Sequence, residues 1–280
     1  MQVAVASVAA RPDRVNEDFF GTVPTAAVLL DGAGMSGIES ICSHGVAWYT
    51  GRLGGELLGR LWLDPDQDLP TLLAQAIERV ADAHRNTCDL ANPRSPSATV
   101  AILRLCGGRA DYLVLGDSVL ILDQVQGKPL IVDDRREEMV RRRYRPAFDA
   151  AKEGSAEYDR ALSDYIAGLR ANRNQPGGFW LAKGDPRAAL EAITGSCRIS
   201  DLAGAALLSN GASRIVDRFG LADWPEVLTL LRAHGPAEII RRVREAEMGG
   251  PNGASLPRAL DPDDATIAHC MALADGLPGT

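Results

Sequence analysis

The stretch VLLDGAG, from Val28 to Gly34, ends a run of apolar residues in a bare carboxylate, Asp31. Four further sites share this design, an acidic or amide side chain at a predicted strand end or tight turn: Asn16-Glu17-Asp18, Asp117 in LVLGDS, Asn210-Gly211 in ALLSNG and Asp263-Asp264 in DPDDATI. Any one of them alone is explained as a turn, because short acids bond their own backbone and glycine tolerates positive φ.

The alternative role for such acids is to bind divalent cations. Mg²⁺ and Mn²⁺ prefer oxygen ligands, keep several of their waters and need few direct contacts with protein. Aspartates at strand ends suit these ions because the sheet holds the side chains in place. The sequence predicts no zinc site, because it has no HExxH motif and no His/Cys cluster, and its four histidines are scattered: His44, His84, His234 and His269.

The elements that position these acids alternate between sheet and helix. Period-two or short apolar patterns predict strands at residues 2–8, 26–30, 98–105, 110–115, 118–123, 128–133, 178–182, 204–209 and 265–273. Helices are predicted at residues 38–62, 69–90, most of 134–174, 224–233 and 236–248, followed by a loop at 249–264. The turns GGR, GD and QVQG favour hairpins in an antiparallel sheet. This order predicts packed sheets with helices outside rather than a regular βαβ winding.

Composition excludes several function classes. The chain has 280 residues, 46% of them hydrophobic, which is enough for one large domain or two small ones. A net charge of -7 gives no general attraction to nucleic acid or anionic lipid. The apolar runs are too short to span a bilayer, and the N-terminus lacks the pattern of a secretory signal. An odd count of five cysteines without a CxxC pair favours a reducing compartment, so we expect a cytoplasmic protein.

One basic cluster, RREEMVRRRYR from Arg135 to Arg145, has two interpretations. Its glutamates precede its arginines at helical spacing, which is typical of a solvated helix face. The same arginines could instead form a docking patch for an anionic partner.

Taken in order, the acidic blocks resemble the metal-dependent protein serine/threonine phosphatases of type 2C, the PPM family. The likeness covers nearly the whole chain and is carried by RVNEDFFG (14–21), VLLDGAG (28–34), PSATVAILRL (96–105), LVLGDSVLIL (113–122), ALLSNGASRIVD (206–217) and DDATIAHC (263–270). The resemblance implies an α+β fold, a four-layer α-β-β-α sandwich with two antiparallel β-sheets flanked by helices. It also implies a single domain over residues 1–280, with the polar helical insert at about 134–174 as a flap that contacts substrate.

The activity implied by this resemblance is hydrolysis of phosphoserine and phosphothreonine by a metal-activated water. Two divalent cations, Mg²⁺ or Mn²⁺, lower the pKa of a shared water and draw charge from the transition state. The resemblance assigns Asp31 as the carboxylate that bridges both metals and the Gly32 carbonyl as a further ligand. Glu17 approaches the second metal, Asp18 holds metal-bound water, and Asp263 binds the first metal. The implied partner is a phosphorylated protein, and a monomer is the default assembly.

Two of the positions that match the family's metal ligands, Asp117 and Asn210, are special cases. Asp117 matches the acid that helps hold a third, looser ion in many bacterial members. At Asn210 the family normally has aspartate, a direct ligand of the first metal. Asparagine offers a carbonyl oxygen without the charge, so we expect weakened binding of that ion.

Other departures concern the phosphate. The family carries a histidine shortly after its Asp-Gly, and Ala33 to Gly37 contains none. Its phosphate-binding arginine lies four residues before the glutamate, whereas Arg14 lies three before Glu17 and Arg11 six before. On a strand, a one-residue shift turns the side chain to the other face. The usual arginine after Gly-Asp-Ser is Val119.

Three functions therefore stay open. The first is a metal-dependent phosphatase with Asp31 and Arg14 as catalytic residues. The second is a weak or inactive pseudophosphatase that binds a phosphoprotein on the same fold. The third takes Gly-Asp-Ser at 116–118 as the nucleophile turn of a serine esterase, with its acid and histidine in DDATIAHC.

Overall fold

The computed structural model describes residues 1–34, 41–249 and 262–273. Its strands are β1 Gln2–Val8, β2 Phe19–Val23, β3 Ala26–Ala33, β4 Ser97–Cys106, β5 Arg109–Leu115, β6 Val119–Gln124, β7 Leu130–Asp133, β8 Ile193–Arg198, β9 Leu202–Leu208 and β10 Ala265–Met271. Its helices are α1 Val46–Leu63, α2 Leu69–His84, α3 Arg136–Ala150, α4 Ala156–Asn172, α5 Asn210–Asp217, α6 Trp224–His234 and α7 Pro236–Glu247. The predicted helix at 38–62 begins only at Val46, because residues 41–45 are not helical. Residues 38–40 and most of the predicted loop at 249–264 lie outside the described residues.

The strands form two antiparallel five-stranded sheets. The first sheet has the order β1-β10-β9-β6-β7 and the second the order β2-β3-β4-β5-β8. Buried side chains from both sheets meet in one apolar layer, for example Leu29, Leu103 and Val114 from the second sheet with Leu120 and Leu207 from the first. Because successive strand residues point to opposite faces, each sheet keeps a second apolar face for its helices.

The helices cover these outer faces. Helices α1 and α2 pack on the second sheet, and α5, α6 and α7 pack on the first. Local sequence fixes several helix starts: Asp68 caps α2 by accepting a hydrogen bond from the Thr71 backbone, and Asp223 and Glu226 form a capping box on α6. The predicted four-layer α-β-β-α sandwich is therefore confirmed. Among the described residues, no helix has both the length and the apolar character that a bilayer crossing requires.

The hairpin prediction holds for two of the three turns. Strands β4 and β5 pair across Gly107-Gly108, and β6 pairs with β7. The Gly-Asp turn between β5 and β6 is not a hairpin, because β5 pairs with β4 and β8 while β6 pairs with β7 and β9. The chain crosses from one sheet to the other there, and Gly116 takes a φ of 78° to make the turn.

Some strand assignments were wrong. The predicted strand at 178–182 forms only isolated bridges, at Phe179 and Ala182, although its apolar side chains are buried. The segment is buried but does not pair in a β-ladder, which explains why its apolar composition resembled that of a strand. Strands β2 and β8 were not predicted; β8 lies at a sheet edge and has no run of buried residues to mark it. Helix α2 ends at His84, before the predicted end at Leu90.

The polar insert forms the predicted helices, α3 and α4. Three arginines of α3 pair with acids one turn away: Arg141 with Glu137, Arg142 with Glu138 and Arg145 with Asp149. This pairing matches the interpretation of the basic cluster as a helix face. Glu137 is buried, however, so this end of α3 also faces the protein interior.

Candidate metal centre

Asp31 lies near the end of β3, after five residues that are fully buried. Its Oδ2 accepts a hydrogen bond from the Asn210 backbone N–H at 2.8 Å. Burial raises the pKa of Asp31 well above its ordinary value, and the charges of Asp18, Asp263 and Asp117 raise it further. Acids from four distant segments therefore share one electrostatic environment, which we call the acidic cup.

Asp18 enters the cup directly before β2. Neither of its carboxylate oxygens is exposed, and neither accepts a hydrogen bond from a residue that the structure describes. Burial raises the pKa of Asp18 to about 7, and the nearby hydroxyls of Thr266 and Ser209 oppose this only in part. A buried carboxylate without a partner is costly, so this side chain is arranged to meet a cation.

Glu17 is held beside Asp18 by an acid that sequence reasoning did not assign. Asp264 accepts hydrogen bonds from the backbone N–H groups of Ala10 at 2.7 Å and Glu17 at 2.6 Å. Burial raises the pKa of Glu17, Asp264 raises it further, and Arg14 lowers it. The pair of adjacent acids at 263–264 was the sequence feature that could have indicated this role. Asp263 can bind a ligand while Asp264 holds the neighbouring loop.

Asp263 is shared with a cation of the protein itself. Arg214 of α5 donates from Nη2 to Asp263 Oδ2 at 2.8 Å and from Nη1 to Glu247 Oε1 at 2.9 Å. Burial raises the pKa of Asp263, while the Arg214 charge lowers it. The guanidinium therefore neutralises part of the charge that Asp263 would offer a metal, and no local pattern in the sequence marks this contact.

Asp117 and Asn210 meet directly. The Asn210 side-chain nitrogen donates to Asp117 Oδ2 at 2.7 Å. An aspartate at position 210 would repel Asp117 unless a cation lay between them. The amide therefore satisfies Asp117 directly, and weakened metal binding at this position remains a prediction.

Gly32 allows the backbone to approach closely at the cup. A Cβ atom at this position would lie 2.6 Å from the Glu17 carbonyl oxygen and 2.7 Å from the Val46 side chain. Contacts this short cannot be relieved easily because one of them is to backbone. The residue therefore keeps β3, the Glu17 segment and the start of α1 in contact.

Arg14 and Arg11 do not lie on a β-strand. Residues 9–18 form turns and irregular chain before β2, so strand alternation does not decide where Arg14 or Arg11 points. Arg14 is exposed, and its charge reaches Glu17, whose pKa it lowers. Arg14 is thus placed at the margin of the cup.

The insert lies next to the cup, on the side of Asp117. A cavity of about 280 Å³ lies between α3 and α5 and includes Asp117, Asn210 and Arg141 in its walls. Although burial alone would lower the pKa of Arg141, the charges of Glu137 and Asp117 raise it. The cup therefore continues into a polar groove whose walls carry both arginines and carboxylates.

The esterase interpretation does not fit the geometry. Ser118 is fully buried, and its hydroxyl forms a 2.5 Å hydrogen bond with Thr99 Oγ1. Its turn connects two strands of different sheets, whereas a nucleophile turn exposes its serine between a strand and a helix.

The prediction that histidines and cysteines form no cluster was wrong. Cys42, His44, His84 and Cys88 place one ligand atom each within 4.8 Å of one another. They come from two loops far apart in sequence, so no local spacing motif marks them. His44 lies before α1 and does not enter the acidic cup as a substitute for the missing family histidine.

A profile of the protein phosphatase 2C family matches residues 9–158, more than half of the chain. The chain belongs to this family. Among curated proteins, none matches the sequence of this phosphatase 2C member.

Solved bacterial phosphatases share its fold across nearly their whole lengths. The serine/threonine phosphatase MsPP of Mycobacterium smegmatis, solved with cacodylate, is 17% identical with a TM-score of 0.55, and the match covers 97% of this chain and 98% of that one. Stp1 of Staphylococcus aureus is 12% identical with a TM-score of 0.57, covering 98% and 95%. The catalytic domain of PstP, solved with two manganese ions, is 17% identical with a TM-score of 0.53, covering 96% and 97%. At these identities the likeness establishes the phosphatase 2C fold.

Proposed function

We propose that this protein is a Mg²⁺- or Mn²⁺-dependent phosphatase that hydrolyses phosphoserine and phosphothreonine in a protein substrate. The observation that carries the proposal is the acidic cup, in which Asp18, Asp117 and Asp263 each raise the pKa of buried Asp31. Such excess negative charge is unfavourable unless cations bind, and oxygen ligands select Mg²⁺ or Mn²⁺. The manganese ions in PstP support the same choice of metal.

The residues of the cup divide into those that hold ions and those that hold substrate. When bound, two such ions lower the pKa of a shared water and offset the charge of the phosphoryl group. We assign the holding of ions and their waters to these residues: Glu17, Asp18, Asp31, Gly32 through its carbonyl, Asp117, Asn210 through its amide oxygen, and Asp263. Arg14, exposed beside Glu17, would bind the phosphate oxygens.

The groove next to the cup supports a phosphoprotein as the substrate. Its wall carries arginines as well as acids, and Arg141 and Arg142 of α3 are the groups that would contact an anionic segment of substrate. The insert would thus contact residues that flank the phosphorylated side chain. A cytoplasmic location remains our prediction, consistent with five free cysteines.

Metal titration tests the proposal. Hydrolysis of an aryl phosphate and of a phosphothreonine peptide should appear with Mn²⁺ or Mg²⁺, saturate with metal and vanish on EDTA treatment. Asp31→Asn should remove turnover while the protein stays folded by circular dichroism. Equal turnover with and without metal, or an unaffected Asp31→Asn variant, contradicts the proposal.

A second candidate, a pseudophosphatase that binds a phosphoprotein, rests on two contacts. The Asn210 amide donates to Asp117, and Arg214 pairs with Asp263, so protein groups already satisfy two acids of the cup. This candidate predicts no turnover at saturating Mn²⁺ but retained binding of a phosphorylated peptide. Isothermal titration with matched phosphorylated and unphosphorylated peptides distinguishes the two functions.

A further inference from the structure

A second cluster of ligand-type side chains lies outside the acidic cup. Cys88 Sγ is 3.1 Å from Cys42 Sγ and 3.3 Å from His44 Nδ1, and Cys42 Sγ is 4.0 Å from His44 Nδ1. His84 completes the set, since one ligand atom of each residue lies within 4.8 Å of all the others. Both cysteines are free. We call these four residues the Cys/His cluster.

The cluster joins two loops at the ends of neighbouring helices. Cys42 and His44 lie just before α1 begins, whereas His84 is the last residue of α2 and Cys88 follows in the next turn. Backbone bonds fix this arrangement: the Cys88 N–H donates to the His84 carbonyl at 3.0 Å, and the Asp89 N–H donates to the Ile41 carbonyl at 3.0 Å. The four side chains therefore converge because both loops are held, not through a chance contact of surface groups.

The two ring nitrogens of His84 are the polar atoms of the cluster that are buried without partners among the described residues. The His84 side chain is 2% exposed, and neither ring nitrogen has a hydrogen-bond partner among the described residues. Cys42 is also 2% exposed. Trp48 stacks on His44 at 4.3 Å between ring centroids and lies 5.1 Å from His84, so apolar surface closes the side of the cluster. Buried ring nitrogens without partners are costly, which indicates that a ligand satisfies them.

We propose that the Cys/His cluster is a Cys₂His₂ site for Zn²⁺. Tetrahedral zinc with sulfur at about 2.3 Å and nitrogen at about 2.0–2.1 Å places its ligand atoms about 3.3–3.8 Å apart. The separations among Cys42, His44 and Cys88, which run from 3.1 to 4.0 Å, span that range. Thiolate and imidazole select zinc over the hard ions that suit the carboxylate cup. Four protein ligands fill the tetrahedron, so the site is structural.

Such an ion would fasten the start of α1 to the end of α2. The first helical residue, Val46, packs against Gly32 of the acidic cup, and Gly45 provides no side-chain cap for α1. Zinc bound there would therefore hold the segment that leads into α1, and with it Val46 at the wall of the cup. This role differs from that of the ions at Asp31, and zinc content can be measured without any assay of turnover.

Metal analysis of the untagged protein, expressed with zinc supplementation and purified with a phosphine reductant, tests the site. We expect about one zinc per chain by inductively coupled plasma mass spectrometry, and less than about a tenth of that in a Cys42→Ser/Cys88→Ser variant. Cys106→Ser/Cys197→Ser, which alters two other free cysteines, is the matched control and should keep its zinc. Asp31→Asn should also keep its zinc, which separates this site from the cup.

A second measurement uses only wild-type protein, so it tests the site even if the Cys42→Ser/Cys88→Ser variant fails to fold. Co²⁺ added to zinc-depleted wild-type protein should give the visible absorption of a tetrahedral S₂N₂ site, and equimolar Zn²⁺ should remove it. No stoichiometric zinc in the wild-type protein together with no such Co²⁺ spectrum overturns the proposal.

Discussion

The acidic cup and the Cys/His cluster are built from opposite chemistry on either side of the start of α1. The cup collects carboxylates and opens into a polar groove, and the pKa of Asp31 is raised first by burial and then by repulsion from the other acids. The cluster collects thiols and imidazoles in an apolar setting closed by Trp48. Hard ions that keep their waters suit the first, and a soft, fully ligated ion suits the second. Taken together, the two proposals would place exchangeable ions in the cup and a fixed structural ion in the cluster.

Among the substitutions that test the difference between the two sites, Asp31→Asn should have the largest effect on turnover. Because Asp31 is the acid on which the other three charges act, its loss should lower Mn²⁺-dependent turnover by about 10²-fold or more. Steady-state hydrolysis of an aryl phosphate measures the effect. The matched variant Asp201→Asn changes an exposed acid elsewhere and should keep full activity. Activity within a few-fold of wild type in Asp31→Asn would remove the cup from the catalytic account.

A variant that sharpens the contrast is Asn210→Asp, which supplies the charge that the family normally has. A carboxylate facing Asp117 should raise Mn²⁺ affinity roughly tenfold, the effect of about 1.4 kcal/mol, and should lower the stability of the metal-free protein. Isothermal titration and thermal unfolding with and without Mn²⁺ measure both effects. Asn92→Asp, in a loop away from the cup, is the control. An unchanged affinity would show that position 210 does not face an ion.

The pH dependence of stability should differ between metal-free and metal-bound protein. The folded-state pKa of Asp18 is raised to about 7, so the folded protein keeps a proton that the unfolded chain loses near its ordinary value of 3.8. The free energy of unfolding of the metal-free protein should therefore fall as pH rises from about 4 to about 7. Urea unfolding across this range measures the slope, which Mn²⁺ or Asp18→Asn should reduce. A slope of opposite sign would contradict the burial of this carboxylate.

The smallest effect concerns communication between the two regions. Zinc removal should lower the melting temperature, because an ion that binds only the folded state stabilises it. It should change Mn²⁺ affinity at the cup by no more than about threefold, since the sites share no ligand and are linked indirectly, for example through Val46, which packs against Gly32. Manganese titrations of zinc-loaded and zinc-depleted protein make the comparison. Loss of all Mn²⁺ binding on zinc removal would show a single coupled centre instead.

The order of the acidic blocks predicted the fold and the acids that share the cup. Each block places its acid at a strand end or a turn, and the two sheets bring these ends together. The same reasoning could not find the contacts that depend on helix packing. Arg214 reaches Asp263 from α5, and Glu137 turns inward from α3, each through a tertiary approach that no local pattern records. The Cys/His cluster was missed for the same reason, since its pairs are separated by the whole of α1 and α2.

Anomalous diffraction from one Mn²⁺-soaked crystal, recorded above and below the zinc absorption edge, tests the central claim most directly. The account predicts manganese peaks beside Asp31, within reach of Asp18 and Asp263, and a separate zinc peak between Cys88 and His84. Absence of any manganese peak beside Asp31 at saturating Mn²⁺ would contradict the assignment of the acidic cup as the metal centre of a phosphatase.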